Sequence, residues 1–353
     1  MGRATFLKGR AKTEKEGCLF LEKVINCMRN KRVSCEKEKE KNMQHNKKTI
    51  PVFYAVDKNY LPFLAVAVAS IKKYAKGENE YIIHVLYTGD LGERLNDLLA
   101  MQTDNLRFEF TNVSKEIAEI ESMLHCRDYY TNAIYYRLFI PDLFPQYDKA
   151  IYLDSDTVLL ADIAELYNED LGENLIGAVN DEAVINVPAF CEYTQKALDI
   201  PPETYFNSGV ILLNTKKMRE MDFCKVFREV LSSYDFVVAP DQDCLNLICK
   251  GRIKYFGVEW NKLPIGGEAE KLPKLIHFNL TMKPWHYDGI LYSEYFWDYA
   301  KQTAFYEDII TLKTEFTPEM AKRDEEGGKA LLQLAQAEAD SPNNYINTVV
   351  KKR

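Results

Sequence analysis

Strand and helix patterns alternate from Ile50 onward, and they predict an α/β chain with a mainly parallel central sheet flanked by helices. Three observations carry that expectation. Short apolar runs rich in β-branched and aromatic residues recur at Ile50 to Val56, Tyr81 to Tyr87 and Lys149 to Leu153. Segments with helical spacing lie between them. Two of the runs end abruptly in a carboxylate, at Asp57 and Asp154, which suits a sheet whose ligands sit at the carboxyl ends of its strands.

Taken in order, the strand Ile50 to Val56 leads into a helix from Leu61 to Tyr74, and the strand Tyr81 to Tyr87 into a Leu-rich helix from Leu91 to Met101. A strand at Leu106 to Phe110 follows, then helices at Lys115 to Leu124 and Ile134 to Ile140, then the run ending at Asp154. The second half reads as α+β. Strands are expected at Val210 to Asn214 and Ile253 to Phe256, with helices at Met221 to Ser232 and at Asp241 to Lys250, the latter stopped by Gly251. Beyond Leu312 the composition is charged and helical, with a short helix expected at Ala330 to Ala339.

The first 48 residues differ from the rest: 14 Lys and Arg stand against 6 Asp and Glu, a net of plus 8 that leaves minus 16 for residues 49–353. They read as a basic extension, disordered or peripheral, with Met43 as an alternative start. Leu21, Val24, Ile25 and Met28 share a helical face flanked by basic residues, the pattern of a surface-seeking helix. The organisation is therefore an extension over 1–48, an α/β domain over 49–312 and a helical tail over 313–353.

The chain has 353 residues, 46% of them hydrophobic, with 22 Tyr and 18 Phe, enough for a large core. A formal net charge of −8 argues against a nucleic-acid partner, which needs a basic face. No apolar run nears the ~18 residues of a spanning helix. The expectation is a cytoplasmic protein, with transient association at the inner membrane face left open. Eight cysteines without a Cys-X-X-Cys pair fit reduced, buried thiols better than a disulfide frame or a zinc site.

The chemistry concentrates in Ile151-Tyr152-Leu153-Asp154-Ser155-Asp156. Side chains at i and i+2 of an extended segment point the same way, so Asp154 and Asp156 can face one pocket, where their repulsion calls for a cation. Carboxylate oxygens favour Mg²⁺ or Mn²⁺, and an added imidazole shifts the preference toward Mn²⁺. The triplet alone is also an ordinary solvated turn, and it recurs at Asp241-Gln242-Asp243, where a helix start needs acidic residues without any function. His277, ending an apolar run, is a candidate third ligand or a hydrogen-bonded structural histidine. Lys283 is a phosphate partner or a surface charge. Tyr205-Phe206-Asn207-Ser208-Gly209 and Ala178-Val179-Asn180-Asp181 put amides and carboxylates beside apolar runs, as sugar readers or as caps. After the first strand, Asp57-Lys58-Asn59-Tyr60 stands where a dinucleotide enzyme carries its glycines, which makes a nicotinamide cofactor a poor fit.

The ordered set Ala-X-Asp-X-Asn-Tyr, Tyr-Tyr-Arg-Leu, Tyr-Leu-Asp-Ser-Asp, Phe-Asn-Ser-Gly, Asp-Gln-Asp and His-Phe followed by Lys-Pro-Trp, running from Ile50 to Ile310, resembles glycosyltransferase family 8, in particular the bacterial lipopolysaccharide galactosyl- and glucosyltransferases. The resemblance implies a GT-A fold, a UDP-sugar donor, Mn²⁺ with Mg²⁺ as the substitute, and retention of anomeric configuration. By position it makes Asp154, Asp156 and His277 metal ligands and assigns Ala55, Asp57, Asn59, Tyr60 and Ser155 to the nucleotide. Arg137, Asp154, Asn207, Asp181, Asp241 and Gln242 fall to the donor sugar, and Lys283 to the diphosphate. Gln242, with Asp181 and Asp241, would be catalytic. The implied acceptor is a hydroxyl of a glycan or a lipid-linked saccharide, in the synthesis of lipopolysaccharide or another surface polysaccharide. One departure stands out: relatives carry glycine where this chain has Leu280. Two other readings stay open at this point. A metal-dependent nucleotidyltransferase also uses strand-end carboxylates but lacks its Gly-rich loop here, and a non-catalytic sugar-nucleotide or glycan-binding protein is kept alive by Leu280.

Overall fold

The computed structural model describes residues 47–124, 132–266 and 272–351. The helical face around Leu21 to Met28 and four of the cysteines, Cys18, Cys27, Cys35 and Cys126, lie outside the described residues. The first half runs β1 (Lys48–Ala55), α1 (Leu61–Tyr74), β2 (Asn79–Tyr87), α2 (Leu95–Leu99), β3 (Leu106–Asn112), α3 (Ser114–Ala118), α4 (Ile140–Leu143) and β4 (Ala150–Leu153). Then come β5 (Thr157–Leu159), α5 (Ala164–Tyr167), β6 (Ile176–Asn180), α6 (Glu182–Asn186), α7 (Pro188–Leu198), β7 (Phe206–Leu213), α8 (Thr215–Glu220), α9 (Phe223–Ser233) and α10 (Pro240–Cys249). The chain closes with β8 (Ile253–Tyr255), β9 (Leu275–His277), α11 (Ser293–Ala300), α12 (Tyr306–Glu315) and α13 (Pro318–Asp340).

Seven strands form one sheet in the order β3-β2-β1-β4-β7-β6-β8, and β5 pairs with β9 in a second, two-stranded sheet. The β1–β4, β2–β3 and β6–β8 pairs are parallel, and β7 runs antiparallel between β4 and β6. Alternate residues feed two apolar layers, one on each face. Val52, Tyr54, Ile151, Leu153 and Leu212 join α1 in one layer, while Phe53, Tyr152, Ile211 and Leu213 join the helices of the second half in the other. Helix α1 is buried from Leu61 through Ile71, with Pro62 in its first turn and Lys72 and Lys73 in its last, where cations complement the helix dipole.

Several elements differ from their sequence expectation, each for a local reason. The Leu91 to Met101 helix contracts to α2 because Gly92 takes φ +78° and donates its N–H to Asp90 Oδ1 (2.9 Å), holding a turn where the helix would begin. The Ile134 to Ile140 helix is a 3₁₀ segment over Asn132–Phe139 that hands over to α4 at a proline. Strand β7 reaches back to Phe206 through polar Asn207 and Ser208, whose polar groups are satisfied in the cleft described below. The short helix of the tail is instead 23 residues long, capped by Thr317 Oγ1 accepting from Met320 N–H (3.3 Å). It continues through Gly327-Gly328, at roughly 1 kcal/mol per glycine relative to alanine, because it packs along α7. Among the described residues Cys191, Cys224, Cys244 and Cys249 are free thiols, and the last three are buried.

The junction of α7, α10 and β7 is pinned by one buried carboxyl. Asp243, fully buried, accepts from Tyr193 Oη (2.7 Å), Tyr205 Oη (2.6 Å) and Ala239 N–H (3.1 Å). Burial outweighs these hydrogen bonds and pushes the carboxyl up to about 7. The folded state therefore holds the Asp243 proton between 3.8 and about 7 where the unfolded chain does not. Its contribution to stability falls as pH rises through that window, by at most about 1.4 kcal/mol per pH unit. Buried His84, pushed down to about 4 by burial, gives the opposite slope between about 4 and 6.5, while Asp241, raised to about 6, adds to the Asp243 slope, so the parent's own trend mixes several groups. The difference isolates Asp243. Urea unfolding across this range should show Asp243→Asn gaining on the parent as pH rises to about 7, with no further gain above it; a constant difference would refute the assignment.

Candidate active site

Backbone pairing assembles the site. Strand β4 ends at Leu153, and the next N–H, that of Asp154, donates to Gly209 O on β7 (2.7 Å). Thr157 Oγ1 donates to Asp154 O (2.8 Å), closing a tight turn into β5. The β5–β9 register then sets Thr157 opposite His277, and Phe278 N–H donates to Asp156 O (2.9 Å). Two remote strand ends thus converge on one turn.

At that turn each candidate ligand keeps one atom free while its other atom is tied up. Asp154 Oδ1 accepts from Arg137 Nη2 (3.0 Å) and Tyr152 Oη (2.8 Å), which leaves Oδ2 facing His277 Nε2 at 3.7 Å. Asp156 Oδ2 accepts from Lys283 Nζ, and its Oδ1 lies 3.2 Å from His277 Nε2. His277 Nδ1 is engaged by Asn261 Oδ1 (3.0 Å). Both Asp156 Oδ1 and His277 Nε2 are buried without a hydrogen-bond partner. One oxygen from each aspartate and one imidazole nitrogen lie within 4.8 Å of one another. Two of the three atoms are buried and unpaired, Asp154 supplies a half-buried third, and this oxygen and nitrogen set fits a divalent cation such as Mn²⁺.

The charges around them are held by opposition. Burial would raise the Asp156 carboxyl, but the Lys283 ammonium holds it well below the ordinary carboxylate range. Burial would likewise lower the Lys283 ammonium, and Asp156 turns that shift upward, so both partners stay charged. Arg137, desolvated on its 3₁₀ segment, is pushed above its usual value, mostly by Asp154. Asp241, 3.6 Å from Arg137 Nε, is driven up to about 6 by burial, against the pull of that guanidinium.

Two clefts meet at Asp154. One, of about 650 Å³, is lined by Ala55, Asp57, Tyr60, Ser155, Asp156 and Lys283 among others, and so collects most of the nucleotide set read from the sequence. Asn59 is not brought in: it is exposed, and its N–H caps a turn by donating to Asp57 Oδ1 (2.8 Å). The floor is rigid because Trp285 stacks on Phe63 of α1 (3.9 Å between centroids) and Tyr60 meets Phe63 edge-on, fixing the loop that carries Lys283. The second cleft, of about 720 Å³, holds Asp181, Asn207, Asp241 and Gln242 with an apolar wall that includes Val184, Phe190 and Leu331 of α13. Leu280 lines both clefts and sits at φ +50°, a left-handed conformation that glycine adopts freely and that costs other residues about 1–2 kcal/mol.

Within the second cleft Asp181 is the common acceptor. Its Oδ1 takes Ala183 N–H (2.9 Å) and Val184 N–H (3.3 Å) at the start of α6, and its Oδ2 takes Asn207 Nδ2 (3.0 Å) and Gln242 Nε2 (3.1 Å). Gln242 Oε1 accepts Ser208 N–H (2.8 Å). Tyr152, Gly209 and Asn261 are site residues that no sequence expectation assigned. The Phe-Asn-Ser-Gly motif pointed at Gly209, whereas nothing in the sequence around Asn261 marks it.

This architecture is shared with solved glycosyltransferases. The bifunctional glycosyltransferase WbbM superposes with a TM-score of 0.66 at 27% identity, covering 76% of this chain and 52% of that one, so this chain spans about half of the larger protein. The galactosyltransferase LgtC, solved with donor and acceptor sugar analogs, gives a TM-score of 0.62 at 27% identity, covering 72% of this chain and 96% of that one. The protein is a glycosyltransferase of the GT-A fold. More narrowly, the family profile described as Glycosyl transferase family 8 matches residues 51–289, and the chain belongs to that family. The lipopolysaccharide 1,2-glucosyltransferase of Escherichia coli (strain K12) is 27% identical over 274 residues, 73% of this chain and 79% of that relative. Both alternative readings, nucleotidyltransferase and non-catalytic binder, give way to this assignment. No helix among the described residues is long and apolar enough to cross a membrane.

Gly209 shows how little room the turn leaves. A Cβ there would sit 2.3 Å from His277 Cε1 and 2.6 Å from Asp154 Oδ2. Gly209→Ala should therefore cost about 1–3 kcal/mol of stability and displace both candidate ligands. Calorimetric titration with Mn²⁺ and a thermal melt on the same sample test this; an alanine variant that binds the ion like the parent would contradict the geometry.

Proposed function

We propose that this protein is a Mn²⁺-dependent retaining hexosyltransferase. It moves glucose or galactose from a UDP-sugar to a hydroxyl of a glycan or lipid-linked acceptor during the synthesis of lipopolysaccharide or another surface polysaccharide. The observation that carries the reading is the convergence of Asp154 Oδ2, Asp156 Oδ1 and His277 Nε2, each left free by a partner on its other atom, at the seam of two clefts. The donor assignment draws further support from LgtC and from the glucosyltransferase relative. The domain covering 49–312 carries the chemistry, and Leu331 in the tail walls the acceptor side.

The residues divide the work by charge. When bound, the cation supplies positive charge beside the diphosphate, where negative charge grows as the anomeric bond breaks. Lys283, buried and charged at the edge of the nucleotide cleft, adds an ammonium on the same side. Arg137 orients Asp154, and with it the sugar side of the turn. Each oxygen of Asp181 accepts two hydrogen bonds, which makes it a poor nucleophile, and the Gln242 amide is a poorer one. That arrangement favours attack by the acceptor hydroxyl on the face the leaving group departs from. The hydroxyl proton passes to the departing phosphate oxygen, and Gln242, Asp181 and Asp241 stabilise the cationic sugar from the other side.

UDP release from UDP-glucose or UDP-galactose, with an acceptor panel, should require Mn²⁺ and stop on chelation. Asp156→Asn should abolish the metal-dependent release. The variant also leaves the Lys283 ammonium without its buried partner, at a cost of about 3–5 kcal/mol, so activity is read per folded molecule. Full activity in that variant, or release indifferent to chelation, would overturn the reading.

A further inference from the structure

A chain of side-chain amides joins His277 to the sugar-side carboxylate, and its direction is fixed from both ends. Asn207 Oδ1 accepts Gly209 N–H (3.0 Å), and Asn207 Nδ2 donates to Asp181 Oδ2 (3.0 Å). A backbone N–H can only donate, and the Asp181 oxygen already receives Gln242 Nε2 (3.1 Å). Turning the Asn207 amide over would set donor against donor at one contact and acceptor against acceptor at the other. Asn207 Oδ1 must therefore point at Asn261, whose Nδ2 donates to it (3.0 Å). That leaves Asn261 only its carbonyl oxygen for His277 Nδ1, at 3.0 Å.

The geometry points to Asn261 as the positioning residue that holds His277 in its Nδ1–H tautomer, with the Nε2 lone pair directed at Asp154 and Asp156. An acceptor at Nδ1 requires that nitrogen to carry the proton, so Nε2 is left as the electron-pair donor. The observed absence of any hydrogen-bond partner on buried Nε2 agrees with a nitrogen that carries no proton. All four groups, Asp181, Asn207, Asn261 and His277, are buried, so water does not compete for these contacts. Asn261 is itself held from outside the site: its N–H donates to Val258 O (3.1 Å), and the next residue, Lys262, pairs with β9 through His277 N–H (2.9 Å). The same two atoms of Asn261 thus serve both clefts, one facing the imidazole and one facing the donor-sugar amide.

This inference rests on the metal reading above, and two separate readouts keep them apart. In ¹⁵N-histidine NMR of the metal-free full chain at alkaline pH, with the His277 signals assigned by their loss in His277→Gln, the parent should show a protonated Nδ1 and an unprotonated Nε2. Asn261→Ala should lose that signature and bind Mn²⁺ about ten- to a hundredfold more weakly by calorimetry. Asn261→Asp loses the donor to Asn207 Oδ1 but keeps an acceptor at Nδ1, so it should restore the tautomer, which a purely structural role for the amide would not do. Persistence of the Nδ1–H form and of parental Mn²⁺ affinity in Asn261→Ala, or loss of the Nδ1–H form in a folded Asn261→Asp, overturns the assignment. A parent that binds no Mn²⁺ but loses the tautomer in Asn261→Ala defeats the metal reading and supports the role of Asn261.

Discussion

The site depends on three consecutive residues of one antiparallel strand. Asn207, Ser208 and Gly209 lie at the start of β7, between β4 and β6, and each reaches a different group: the Asp181 carboxylate, the Gln242 amide and the Asp154 backbone. Ser208 also receives Arg137, through both its carbonyl oxygen and its hydroxyl. A side chain at Gly209 would collide with His277 and Asp154, so the missing Cβ is as much a part of the assembly as the hydrogen bonds. Because β7 is buried along its whole length, these contacts move only if the sheet moves.

Charge gives the turn its second constraint. Asp154, Asp156 and Asp241 face two buried cations, Arg137 and Lys283. Each cation binds one side of a carboxylate, and the balance stays negative at the centre, where His277 presents its unpaired nitrogen. A buried cluster with surplus negative charge and unsatisfied atoms is unfavourable by itself. A dication relieves that surplus and reverses its sign, which suits a neighbouring diphosphate.

The first half of the fold was legible because its signals are local. Strands β1, β2 and β4 are continuous apolar runs, and α1 is apolar nearly all round, so both kinds of element announce themselves. The Asp154-Ser155-Asp156 triplet was legible for the same reason: its carboxylates stand directly at the end of such a run. What the sequence concealed is long-range or cooperative. The antiparallel course of β7 and the length of α13 depend on partners far along the chain, and the polar, glycine-containing surface of α13 carries little hydrophobic signal. Asn261 is hidden for another reason. Its importance lies in where its two amide atoms point, and orientation leaves no trace in a residue letter. The left-handed backbone at Leu280 gave a partial signal, since the glycine that the family resemblance led one to expect at that place marks a conformation rather than a contact.

Part of the wall of the second cleft comes from a stretch of chain remote from its floor. Asp181, Asn207 and Gln242 fall inside the segment 51–289 that defines the family, whereas Leu331 belongs to a helix beyond it. A domain built this way separates what must stay from what can drift. Substitutions in that helix can remodel the mouth of the cleft while Asp181, Asn207 and Gln242 keep their places, so the shape of the cleft can change without disturbing its polar floor.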